Sequence, residues 1–133
     1  MSVLDTSVVF DFLLGGASAE PITAILEAEG VAAAPDLLVY EILAALRRQV
    51  RLGALTPKRA TAAVAHIGEV AIELFPTLPL RHRAWELRGN LTAADALFVA
   101  LAERLGEPLV TRDRGLATAA RTHTHVEVRE LLA

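Results

Sequence analysis

Apolar positions fall into brief runs and helical stripes that alternate along the whole chain. Val3 and Leu4 make a short run within Ser2 to Asp5, which stops at Asp5-Thr6-Ser7. Thr6 or Ser7 can cap a helix through Leu14, which Gly15-Gly16 ends. Pro21 suits the first turn of a helix through about Glu29, and Val31 to Ala34 reads as a strand. Pro35-Asp36 starts the clearest helix, through Leu52, with Gly53 after it. Thr56-Pro57 starts another, carrying Ala60, Ala63, Val64 and Ile67. Ile72 to Phe75 predicts a strand and Pro79 to Arg88 a helix. Thr92 caps a helix through Leu105, stopped by Gly106. Pro108 to Thr111 predicts a strand, Leu116 to Arg121 a short helix, and Val126 to Val128 a last strand. Strands alternating with helices specify an α/β fold with a parallel sheet of about five short strands. The order of those strands stays open. No repeat, low-complexity segment or Ser/Gly linker divides residues 1–133, so one domain is expected.

Composition narrows the class. With 53% hydrophobic and 22% charged residues, the chain has the material for a core and lacks the profile of a disordered one. No run reaches the roughly 18 apolar residues of a membrane span. No basic-then-apolar leader precedes Asp5, so a signal peptide is not expected. Cys is absent, which excludes disulfides and thiolate zinc sites and fits a reducing cytoplasm. A net charge of −3 argues against a protein that coats nucleic acid, but not against an enzyme that meets phosphates through metal and a few arginines.

The acids carry the chemistry. Asp5 and Asp113 each follow an apolar strand, and in open α/β sheets ligands bind beyond the carboxyl ends of the strands. Either one alone reads equally well as a turn or capping residue. Glu41 neighbours Leu37, Leu38, Ala44 and Ala45 on its helix; Asp95 neighbours Leu91, Thr92, Phe98 and Val99. A solvated helix acid does not belong in an apolar stripe, and a buried carboxylate costs several kcal/mol without a compensating charge. Thr92-Ala93-Ala94-Asp95 also has capping-box spacing, and Glu41 can be read as a rim residue reaching solvent. The coincidence of two strand-end and two stripe acids favours a shared site. Four such carboxylates repel at about 4 kcal/mol per close pair. Hard oxygen ligands of this kind suit Mg²⁺ or Mn²⁺ and point to metal-assisted phosphodiester hydrolysis.

Val3-Leu4-Asp5-Thr6-Ser7, the Glu41 helix, Leu91-Thr92-Ala93-Ala94-Asp95-Ala96-Leu97 and Leu109-Val110-Thr111-Arg112-Asp113 resemble, in that order, the motifs of PIN domains of the bacterial VapC toxin type. The likeness covers essentially the whole chain. It implies a parallel sheet with helices on both faces and a cytoplasmic Mg²⁺- or Mn²⁺-dependent endoribonuclease. It also implies a homodimer, an RNA substrate and inhibition by a cognate antitoxin protein. Asp5, Glu41, Asp95 and Asp113 then match the metal-site acids, and Ser7 and Thr111 the residues that orient them by hydrogen bonding. Some members carry a further acid near the last motif; here Arg112 and Arg114 flank Asp113, which favours one ion before substrate arrives.

Arg112 and Arg114 are candidates to hold RNA phosphates, with solvated loop charge as the equal alternative. Arg47, Arg48, Arg51, Lys58 and Arg59 read first as a solvated basic face, with guidance of RNA toward the site as the alternative, and His123 and His125 read as surface residues. Tyr40 and Trp85 are expected to pack; two scattered aromatics do not make a stacking platform. A phosphoryl-accepting receiver domain is excluded, since the only lysine, Lys58, lies on a helix and the Ile72 to Phe75 strand ends without an Asp. The surviving competitor is an inactive PIN-like module that binds a protein or RNA, for which four retained acids have no purpose.

Overall fold

Val3 and Leu4 (β1) form the middle strand of a five-stranded, all-parallel sheet in the computed structural model, which describes residues 1–131. After β1 come α1 (Thr6–Leu13), α2 (Ala19–Glu29), β2 (Ala32–Pro35), α3 (Leu37–Arg51), α4 (Pro57–Ile67) and β3 (Ile72–Phe75). A 3₁₀ turn over Leu78–Leu80 leads to α5 (Arg81–Glu86), α6 (Ala93–Leu105), β4 (Leu109–Thr111), α7 (Arg114–His123) and β5 (Val128–Glu130). Strand order is β3-β2-β1-β4-β5. The chain therefore builds outward from β1 to one edge, then returns to place β4 on the other side of β1. That reversal makes the crevice above β1 and β4 the expected ligand position. Helices α1 to α4 pack on one another, as do α5 and α6. Right-handed crossovers send these two groups to opposite faces.

Small residues set the spacing. Ala32, Ala33 and Ala34 of β2 are wholly buried, as are Ala96, Ala100 and Ala102 of α6, so α6 lies close over β1, β2 and β4 around Phe98. Gly106, at φ +65°, ends α6 in the left-handed region that favours glycine. No helix among the described residues is long and apolar enough to cross a membrane.

Several local expectations need correction. Asp5, not Thr6 or Ser7, caps α1, because its backbone is extended and its carboxylate accepts the Ser7 N–H. Helix α2 starts at Ala19 and takes in Pro21, whose missing N–H falls where helices have no internal partner. The expected helix from Pro79 splits into the 3₁₀ turn and the shorter α5. Helix α7 is longer than expected because Asp113 caps it at once. The last strand lies two residues later, where Val128 pairs with Leu109 and Glu130 with Thr111. Tyr40 and Trp85 do not pack in the core: they are 69% and 67% exposed. The buried stripe of α3 is Leu38, Ile42 and Leu46, and Tyr40 projects away from it.

Phe98→Ala should cost about 3–5 kcal/mol in urea unfolding, as for other large residues emptied from a core. A loss below about 1 kcal/mol would mean that α6 is not seated on the sheet as described.

Candidate functional site

The β1–β4 register decides where the first two acids meet. Val3 lies beside Leu109 and Leu4 beside Val110, and the Asp5 N–H donates to the Val110 carbonyl at 3.0 Å. Asp5 consequently stands next to Thr111, only 5% exposed. The Thr111 hydroxyl donates to Asp5 Oδ2, and the Ser7 N–H donates to Asp5 Oδ1. Thr111 Oγ1 also accepts the Asp113 N–H at 2.9 Å, so one hydroxyl links both strand-end acids. Asp113 is exposed and caps α7, taking the Leu116 N–H on Oδ1 at 3.0 Å. The Ser7 hydroxyl accepts the Arg112 N–H at 3.0 Å, tying the end of β4 to the start of α1. Ser7 thus holds Asp5 through its amide and the β4–α7 turn through its hydroxyl.

Helices bring the other two acids. Glu41 is half-buried beside the Leu38–Ile42 stripe of α3, and the Thr6 hydroxyl donates to its Oε1 at 2.5 Å. Asp95 is half-buried in the first turn of α6, where its N–H donates to the capping Thr92 hydroxyl at 3.2 Å. Burial first, then the charges of Asp113 and Asp5, push the Asp95 carboxyl up to about 6; the Thr92 hydroxyl opposes this and Glu41 adds to it. Asp95 therefore both closes the capping box begun by Thr92 and feels all three other acids. Burial also raises Asp5, against the Thr111 and Ser7 hydrogen bonds that lower it, with Asp113 adding to the rise.

The flanking arginines differ. The Arg112 guanidinium lies 2.6 Å from Asp11 Oδ1, and Asp11 Oδ2 accepts the Ser18 N–H at 2.6 Å. Although burial works against it, the Ser18 amide and Arg112 hold Asp11 below its ordinary range. Arg114 is exposed and joins no ion pair among the described residues. Asp11 and Thr6 were not legible as site neighbours, since their partners lie far along the chain. One trace of Asp11 was present: it is the lone acid in the apolar α1 segment, followed by Gly16, where a Cβ would overlap its carboxylate. Arg47, Arg48, Arg51, Lys58 and Arg59 are exposed, as expected of a solvated face, and so are His123 and His125.

Among the described residues, no three of these side chains converge tightly enough to hold an ion without adjusting. The donor chemistry nevertheless fits a hard cation: all four groups are carboxylates, and their repulsion falls on Asp95. Glu41 and Asp113 each keep one oxygen without a protein donor among the described residues.

The family model for the PIN domain matches residues 2–122. Ribonuclease VapC1 of Mycobacterium tuberculosis is 40% identical over 119 residues, spanning 88% of this chain and 89% of that protein. Ribonuclease VapC12 of the same organism is 32% identical over the full length of both. The fold also matches the solved structure of VapBC-5 from M. tuberculosis, described as a member of the VapBC family of toxin–antitoxin systems. There the TM-score is 0.65 at 20% identity, covering 98% of each chain.

In EDTA, folded Asp95 holds its proton more tightly than the unfolded chain, whose Asp has the ordinary value near 3.8. Its contribution is thus complete below about pH 4 and lost as pH rises through about 6. Thermal and urea unfolding of wild type and Asp95→Asn from pH 4 to 7.5 should differ in slope. About 1–2 kcal/mol of pH dependence should vanish in the variant, after allowance for solvent screening. At pH 7.5 the variant should be at least as stable as wild type. Parallel curves would detach Asp95 from the other acids.

Proposed function

This chain belongs to the PIN domain family, and from that premise we propose that its 133 residues form one endoribonuclease domain, the toxin of a toxin–antitoxin pair. The observation that carries the reading is the Thr111 hydroxyl joined to the Asp5 carboxylate and the Asp113 N–H, with the Asp95 carboxyl pushed up by its half-burial and by both acids. Relatives named ribonucleases at 32–40% identity along nearly the whole chain support RNA as the substrate. The VapBC-5 likeness supports an antitoxin protein as the partner. Homodimerisation and a cytoplasmic location belong to the same reading.

Asp5, Glu41, Asp95 and Asp113 would hold Mg²⁺ or Mn²⁺. Such an ion, when bound, supplies Lewis acidity toward a phosphoryl oxygen and lowers the pKa of a water. Thr111 and Ser7 fix the Asp5 carboxylate so that it need not reorganise as charge develops. Thr6 does the same for Glu41. Asp95 must lose its proton before it can ligate, so loading weakens below about pH 6. Arg114, exposed and in no ion pair among the described residues, would meet a phosphate directly. Arg112 can do so by exchanging Asp11 for the phosphate, and otherwise braces the turn before Asp113. A binding-only module would have no use for an acid cluster that repels itself.

Purified protein should cleave RNA only with Mg²⁺ or Mn²⁺, leaving a 5′-phosphate and a 3′-hydroxyl. Asp5→Asn should lower the rate on the order of a hundredfold or more. Thr111→Val, which removes only the orienting hydroxyl, should lower it about tenfold to a hundredfold. End-group analysis and rates on a labelled RNA check all three. Undiminished cleavage in excess EDTA, or a cyclic-phosphate end, would contradict the reading.

A further inference from the structure

A cleft of about 460 Å³ lies between α5 and the start of α6, with Thr92 on its wall. Its walls are Arg81, Trp85 and Arg88 on one side and Leu91, Thr92 and Leu97 on the other. Trp85 is 67% exposed, an unusual state for the largest apolar side chain, and the Arg88 guanidinium lies 4.6 Å from its ring centroid. Arg88 and Arg81 are anchored by N–H bonds to the carbonyls of Trp85 and Leu78, at 3.0 and 2.9 Å. They are held in place without a carboxylate partner among the described residues. Arg83, the other arginine of α5 beside Arg81, is instead tied to Glu103 at 2.7 Å. Among the described residues, no acid lines the cleft. In a chain of net charge −3, an apolar cleft with two positive charges and no negative one is complementary to an anion with a flat apolar part.

We infer that this cleft is a subsite for single-stranded RNA, with one base stacked on Trp85 and the adjoining phosphates met by Arg81 and Arg88. The inference rests on the endoribonuclease reading and deepens it, since it names a surface beside the acid edge that grips the substrate. Thr92 is the shared wall: it lines the cleft, and its hydroxyl accepts the Asp95 N–H. A strand lying in the cleft is thereby led to the acid edge. A single aromatic cannot track a long strand, but stacking of one base beside two arginines fixes its register without reading its identity.

Trp85 is the only tryptophan, so its emission reports this cleft alone. Wild-type protein in EDTA should be titrated with a short single-stranded RNA and, separately, with a ribose-phosphate oligomer of equal length lacking bases. The RNA should quench Trp85 saturably, whereas the abasic oligomer should bind more weakly and leave emission unchanged. By anisotropy of a labelled RNA, Trp85→Ala should raise Kd about tenfold, and Trp85→Phe, which keeps a ring, by less. Arg81→Ala and Arg88→Ala should each flatten the plot of log affinity against log salt by about 0.7. RNA that binds without moving Trp85 emission, or an unchanged Kd for Trp85→Ala, would overturn the subsite. Emission that follows protein concentration but not RNA would mark the face as a contact between two copies, and would also overturn it. Cleavage by wild type with Trp85 silent would sink the subsite and leave the nuclease reading intact. RNA quenching with no cleavage in Mg²⁺ or Mn²⁺ would do the reverse.

Discussion

Four carboxylates lie near one edge of the sheet, where the charges of Asp113, Asp5 and Glu41 all bear on Asp95, and the rest of the architecture exists under that mutual repulsion. Three are partly relieved by the chain itself. Asp5 and Asp113 cap α1 and α7, where the positive ends of the helix dipoles favour a negative charge. Asp5 also receives the Thr111 hydroxyl, and Glu41 receives that of Thr6. Asp95 has the least relief. It sits half-buried in the first turn of the most buried helix, and its carboxyl stands at about 6. On the proposed reading a cation would complete this edge, and Asp95 is the acid whose charge state would respond to it most.

What holds the acids in place is remote from them and mostly uncharged. The β1–β4 register puts Asp5 beside Thr111, and the alanines of β2 and α6 let α6 descend onto the sheet. A one-residue slip between β1 and β4 would turn Thr111 away from Asp5. The Asp11–Arg112 pair adds a strut from α1 to the turn before Asp113, and Gly16 leaves room for it.

The alternation of strands and helices was legible because the runs were short and separated by Gly, Pro and capping residues. Ile72 to Phe75, and the span from Thr92 to Gly106, lay where the pattern put them. Glu41 and Asp95 could be singled out because each interrupts an apolar stripe, a signal that does not depend on the strand order. The partners were not legible. Thr6 to Glu41 and Asp11 to Arg112 are contacts between distant segments, fixed only once β2 and β4 flank β1. The exposure of Tyr40 and Trp85 was missed for a different reason: large aromatics default to the core, and nothing local announces an outward face. Arg112 looked free from its neighbours in sequence and is paired in three dimensions.

The edge can be read directly by calorimetric titration of metal-free protein with Mn²⁺ at pH 6, in two buffers of different ionisation enthalpy. Because the Asp95 carboxyl stands at about 6 and must ionise to ligate, binding should release about half a proton at this pH and almost none at pH 7.5. Asp95→Asn should bind more weakly and release fewer protons, since only the raised Asp5 carboxyl then remains to ionise. Mn²⁺ binding with the same affinity and the same proton release in wild type and Asp95→Asn, or no binding by the wild type at either pH, would contradict a cation-completed acid edge.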